Sequence, residues 1–208
     1  MVLNSFITAG FSLLVLAELL EPRKKETATP FRGLGYCLVI AALALYASPV
    51  VGAILRAFTA ENARAEGFAT EAAARAAALV SGRPALFYLL FAFALGSAGM
   101  LAWTVFFELA LGRKKMIADK TDTVSWGSYG TCRHPGFWWL ALYMLSLASL
   151  RGFSPSVVPA FLVIFFNFLL IEVQDRYSFP RIFKDYKAYR EKVPFLIPRC
   201  MKREPRHR

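Results

Sequence analysis

Apolar runs separated by short charged links set the pattern of the chain. Val2 to Leu20 is apolar apart from small polar residues and Glu18. Gly33 to Leu55 is broken only by Ser48-Pro49, and Pro84 to Leu111 holds one charge, Glu108. Each run reaches the ~20 residues that carry a helix across ~30 Å of hydrocarbon. Two further runs, Gly136 to Leu150 and Ser156 to Ile171, are shorter. At ~1.5 Å per residue each falls short of a full bilayer. Gly152 and Pro155 break the link between them, so this pair reads as a helical hairpin, either tilted with extensions or not fully spanning. The pattern predicts an all-α polytopic membrane protein with about five transmembrane helices, built as a single domain over 1–208.

Three weaker patterns add to this frame. The Ala-rich stretch Glu71 to Leu79 is a strong helix former ahead of Gly82 and Pro84, and predicts a short cap on the outer surface. In the third run Ala92 and Gly96, and Ala94 and Ala98, lie four apart with Gly99 nearby, which predicts close helix packing. In the tail, Ile182, Tyr186, Tyr189 and Val193 form one apolar-aromatic stripe. This spacing predicts an amphipathic helix over Arg181–Val193, lying on the membrane surface or against the membrane domain and ended by Pro194.

Composition agrees with a membrane protein: 57% of the 208 residues are hydrophobic, 19 of them Phe, and the mean hydropathy is +0.44. A soluble domain of this size cannot bury that much apolar surface. The net charge of +11 is informative through its distribution. The first link carries Arg23, Lys24, Lys25 and Arg32, and the third carries Arg113, Lys114, Lys115, Lys120 and Arg133. The tail after Ile171 holds eleven Lys and Arg, whereas Arg56 to Arg83 has four basic against three acidic residues. The positive-inside rule then places the N-terminus outside, with the basic links and C-terminus in the cytoplasm. A juxtamembrane tail facing anionic lipid accounts for the charge without a nucleic-acid partner. The first run lacks the basic start and small-residue cleavage site of a signal peptide. Cys37, Cys132 and Cys200 have no paired spacing and all fall on the cytoplasmic side, so neither a disulfide nor a metal site is expected.

Charges at the edge of a membrane domain are costly and mark candidate chemistry. Arg133 and His134 stand where the fourth helix begins, and Glu172, Asp175 and Arg176 where the fifth ends. The hairpin brings these two groups to one membrane face. Each residue also has an ordinary reading: Glu172 and Arg176 as a surface i, i+4 pair, Arg133 as a snorkelling anchor, and His134-Pro135 as a helix opening. Glu18 and Glu108 read as structural.

The ordered set Gly127-x-Tyr129-x-x-x-Arg133-His134-Pro135 resembles the signature of the isoprenylcysteine carboxyl methyltransferase family, the small membrane enzymes that include phospholipid methyltransferases. The likeness continues through an acidic cluster at the end of the last membrane helix, then Tyr186-x-x-Tyr189-x-x-x-Val193-Pro194 and Ile197-Pro198, covering about 127–198. Phe137 and Trp139 stand where the family has Tyr and Gly, and spaced Glu172 and Asp175 replace its adjacent pair of glutamates. Counting back eleven residues from Tyr186 gives Asp175 the place of the second acid, and leaves open which acid acts.

The resemblance implies S-adenosylmethionine as methyl donor and an amphipathic, lipid-like or isoprenoid acceptor with a carboxylate, amine or thiol. It implies catalytic roles for Arg133, His134, Glu172 and Asp175, with Tyr129, Pro135, Tyr186 and Tyr189 completing the cofactor site. The residue types suit such a ligand: an arginine fork for a carboxylate, an acid for ribose or amino groups, and aromatic faces for a sulfonium cation. The chain has no glycine-rich strand-turn-helix, so helices and tail must build any donor site. The same region also resembles sterol-type membrane reductases, which use NADPH; Asp175-Arg176 reverses their Arg-Asp order. A membrane scaffold without catalysis is the third reading.

Overall fold

A computed structural model describes residues 2–23, 25–58, 82–108, 126–152 and 157–198. Among these residues all regular structure is helical. Helix α1 spans Val2–Leu20, α2 Lys25–Phe58, and α3 Pro84–Ala102, which runs on as a π-helical stretch over Trp103–Glu108. Helix α4 spans Pro135–Leu150. Helix α5 spans Val157–Val173, continues through a second π-helical stretch, Gln174–Ser178, and ends in one α-turn, Phe179–Ile182. A short α6, Tyr186–Lys192, follows.

Among the described residues four helical spans are long and apolar enough to cross a membrane, and α4 is shorter. The protein is an integral membrane protein. Large side chains on the outside, such as Ile40, Leu89, Phe93 and Phe106, are exposed because their solvent is hydrocarbon. The last span differs from its apolar run: the helix carries on through Glu172 and Asp175 to Ile182, so only α4 remains short. Helix α2 likewise starts at Lys25, which places Arg32 within a helix and not in a link. The Ala-rich stretch 71–79, Cys200 and most of the third link lie outside the described residues.

Packing runs in the order α2–α1–α5–α4–α3. Helices α1 and α2 cross closely at Gly10 and Gly35: a Cβ on Gly10 would come within 3.1 Å of the Gly35 carbonyl, and one on Gly35 within 2.9 Å of the Gly10 carbonyl. Nothing in the spacing of these two glycines announced them. The small residues of α3 behave differently from expectation. Ala94 is buried, but Ala92, Gly96 and Gly99 face outward, and a Cβ on either glycine would meet nothing. Ala92 and Gly96 form, with Leu89, Phe93, Ser97, Met100 and Trp139, a shallow groove of about 500 Å³.

Backbone groups inside the bilayer need internal partners. Pro49 deprives the Leu45 carbonyl of its usual N–H donor, and Ser48 Oγ donates to it at 3.0 Å, so α2 passes through the proline. Ser146 and Ser149 in α4 donate to carbonyls four residues back, which keeps two hydroxyls satisfied in an apolar helix.

The tail departs from one continuous helix. Phe183 is extended (φ −106°, ψ 125°), so the predicted helix over Arg181–Val193 is two pieces. Tyr186, Tyr189 and Val193 of the predicted stripe are buried together, and Phe179 and Phe183, not Ile182, pack against them.

Candidate functional site at the mouth of the fourth helix

Pro135 begins α4, where a missing N–H costs nothing and a fixed φ suits the first turn. The two residues before it therefore stay at the helix mouth. Asp175 reaches them from the π-helical stretch of α5 and is 2% exposed. Arg133 Nε lies 2.7 Å from Asp175 Oδ1, and Nη2 donates to Oδ2 at 3.2 Å. One nitrogen thus hydrogen-bonds the carboxylate while Nε lies against it as a close ionic contact without hydrogen-bond geometry, a planar arrangement that a lysine cannot offer. Its remaining nitrogen, Nη1, donates to the carbonyls of Arg190 and Val193, both at 3.0 Å.

The tail is tied to the same point. Tyr186 Oη donates to Asp175 Oδ1 at 2.7 Å, and Arg190 Nε lies 3.6 Å from Oδ2. Arg133 N–H donates to the Pro194 carbonyl at 2.9 Å, and Trp138 Nε1 donates to the Leu196 carbonyl at 2.9 Å. Tyr189 Oη donates to the backbone carbonyl of Tyr129 at 2.7 Å. Burial pushes the phenols of Tyr129, Tyr186 and Tyr189 well above their ordinary range, so all three remain neutral hydrogen-bonding groups.

His134 sits under this strap. It is 7% exposed, stacks on Phe179 (centroids 6.0 Å apart, 16° between planes) and meets Phe195 edge-on at 5.2 Å. Its Nε2 is 3.6 Å from Asp175 Oδ1 and makes no hydrogen bond. Burial lowers its pKa, against the opposing pull of Asp175. The unfolded chain titrates this imidazole near the ordinary ~6.5. Between that value and the lower folded one the unfolded state binds more protons, so stability rises with pH. The contribution is present above the ordinary histidine value and is lost as pH falls through the folded one. Thermal unfolding in detergent between pH 8 and 5 should show this slope, and His134→Gln should flatten it. A slope unchanged by that substitution would assign the acid sensitivity elsewhere.

The turn ahead of the site is held by a residue the motif does not include. Glu108, at the end of the π-helical stretch of α3, accepts from the N–H of Ser128 at 3.2 Å and from its hydroxyl. Gly127 has φ +63°, and a Cβ there would lie 2.8 Å from Glu108 Oε1. Glycine is required by conformation, and a Cβ would also displace the Glu108 carboxylate. Tyr129 Oη reaches the Thr104 carbonyl at 3.5 Å, a marginal contact. The π-helical stretches that follow α3 and α5 each deliver one acid to this region.

The structure brings Arg133, His134, Asp175, Tyr186 and Tyr189 together, with Pro135 and Tyr129 supporting them. Glu172 stands apart: it pairs with Arg176, whose side chain is 74% exposed. Of the two acids left open by the sequence, Asp175 is the one at the cluster. Compared with protein-family models, with curated proteins and with solved structures, the chain matches none.

Proposed function

We propose that this protein is an integral-membrane methyltransferase that uses S-adenosylmethionine and acts on a lipid-like or isoprenoid acceptor. The observation that carries the reading is the buried His134 Nε2. It has no hydrogen-bond partner, lies beside a guanidinium and a carboxylate, and sits between the rings of Phe179 and Phe195. A buried polar atom left unpaired is costly unless a ligand completes it. The surroundings fit this donor: aromatic faces for a sulfonium, Asp175 for hydroxyl or ammonium groups, and Arg133 for a carboxylate. The motif from Gly127 to Pro198 supports the same assignment.

Bound there, S-adenosylmethionine supplies an electrophilic methyl group for direct displacement by the acceptor. The chain's own residues position and desolvate. Arg133 Nη1, now capped by the carbonyls of Arg190 and Val193, is the nitrogen that takes the donor carboxylate, because an ionised acceptor outcompetes peptide carbonyls. The strap 190–196 must then shift locally. Asp175 keeps the fork oriented, and the rings of Phe179 and Phe195 exclude water. His134, held neutral at pH 7 by burial, can take a proton from an amine or thiol acceptor; a carboxylate acceptor needs no base. Alignment of donor and acceptor supplies much of the rate.

The acceptor enters from the bilayer, and the site faces the cytoplasm with the C-terminus. The basic residues of the tail and the first link support this orientation. A reporter fused after Arg208 should prove cytoplasmic; an extracytoplasmic signal would reverse the topology. Function is tested by incubating the purified protein with methyl-labelled S-adenosylmethionine and membrane lipid extract. Label should appear in an organic-soluble product. Label confined to small water-soluble thiols would exclude a lipid acceptor.

A further inference from the structure

The first helix lies outside the motif region, yet one of its residues touches both ends of the stretch that carries Asp175. Glu18 is 6% exposed near the end of α1. Its Oε1 accepts from Gln174 Nε2 at 3.0 Å, and its backbone carbonyl accepts from the fully buried Ser178 hydroxyl at 2.9 Å. Gln174 and Ser178 are the first and last residues of the π-helical stretch. The same Oε1 lies 3.6 Å from Arg32 Nη2, and Arg32 also pairs with Glu21.

A π-helical stretch accommodates one more residue per turn than the α-helix it interrupts, and it persists only where tertiary contacts support it. Collapse to an α-turn would turn everything beyond it by roughly one residue's rotation, ~100°. Asp175 and Phe179, the residues facing Arg133 and His134, lie within and just after the stretch. Residues 174 and 178 share a face, so a partner gripping both fixes the roll of the helix between them. We infer that Glu18 is a positioning residue of the site: through Gln174 and Ser178 it holds the π-helical turn that aims Asp175 at Arg133 and lays Phe179 on His134. For its effect on donor binding this inference rests on the methyltransferase reading; for geometry it stands alone.

The two parts separate experimentally. The chain has two histidines, His134 and His207, so a His207→Ala background leaves one imidazole to follow by NMR. In that background Glu18→Leu should move the His134 ring signal and bring its titration back toward the ordinary histidine value, as Phe179 leaves it. Glu18→Gln, which keeps the oxygen acceptor for Gln174, should leave the signal in place. Arg32→Gln, which removes the ion pair but not the Gln174 hydrogen bond, should also leave it unchanged. Gln174→Leu removes the same hydrogen bond from α5 and replaces Glu18→Leu if that protein does not fold. S-adenosylmethionine affinity should fall about tenfold or more in the Leu variants and not in Glu18→Gln. An unmoved His134 signal in both folded Leu variants overturns the positioning role, whatever the donor does. Equal losses in Glu18→Gln and Arg32→Gln overturn it too, by assigning the effect to charge pairing. A wild-type protein that binds no S-adenosylmethionine removes the functional reading, while the His134 signal still decides the geometry.

Discussion

Asp175→Ala should be the most damaging single substitution in the protein. The carboxylate is 2% exposed, accepts from Arg133 Nη2 and the Tyr186 hydroxyl, and lies 2.7 Å from Arg133 Nε. Its loss leaves the Arg133 side chain, 9% exposed, without its counter-charge. Breaking a buried pair from one side typically costs about 3–5 kcal/mol. The tail should detach, because Tyr186 and Arg190 lose the same partner. Thermal unfolding in detergent and protease sensitivity of 183–198 read both effects. Asp175→Asn keeps the shape and one acceptor and should retain the fold, with donor binding reduced ~100-fold through the weakened fork. Glu172→Gln is the matched control: its pair with exposed Arg176 contributes only tenths of a kcal/mol, and stability and binding should stay near wild type. Equal damage from the 172 and 175 substitutions would contradict the assignment of Asp175.

Arg133 carries the second large effect. Its three nitrogens serve Asp175 and the carbonyls of Arg190 and Val193, and its ring-facing carbon lies 5.6 Å from the Phe195 centroid. Lysine keeps the charge but offers a point donor without a planar fork. Arg133→Lys should therefore insert and fold, yet lose ~100-fold or more in donor affinity and in methyl transfer. Arg133→Ala should additionally loosen the tail, since it loses the bonds to the Arg190 and Val193 carbonyls and leaves buried Asp175 with the exposed Arg190 at 3.6 Å as its counter-charge. A residue serving only as a topological anchor behaves in the opposite way: lysine restores everything. Donor affinity of correctly inserted Arg133→Lys separates the two roles.

Much of the site was legible because it depends on local signals that survive in sequence. The hairpin logic placed Arg133 and His134 at the same membrane face as Asp175, and the contact of 2.7 Å between Arg133 and Asp175 follows from it. Counting eleven residues back from Tyr186 gave Asp175 the place of the second acid without choosing between it and Glu172, and the Tyr186 hydroxyl donates to the Asp175 carboxylate. Hydropathy marked the spans because a bilayer demands length and apolarity. What could not be read depends on helix phase. Two π-helical stretches aim Glu108 and Asp175, and an inserted residue in a helix has no compositional mark. The Gly10–Gly35 crossing joins single glycines from two helices, each unremarkable alone. Of the small residues of α3, Ala94 packs inward as the spacing predicts, whereas Gly96 and Gly99 leave open space where a Cβ would stand. The tail stripe survived the break at Phe183 because Tyr186, Tyr189 and Val193 lie beyond it. Glu18 read as a structural acid near a helix end, and only its contacts with Gln174 and Ser178 connect it to the site.

Equilibrium binding of S-adenosylmethionine to the purified, detergent-solubilised protein, with NADPH measured alongside, tests the central claim most directly. The account predicts saturable S-adenosylmethionine binding that Asp175→Asn and Arg133→Lys each weaken ~100-fold and Glu172→Gln leaves intact. NADPH should not compete. Saturable NADPH binding without any S-adenosylmethionine binding, abolished by the same substitutions, would contradict it and make the site that of a reductase.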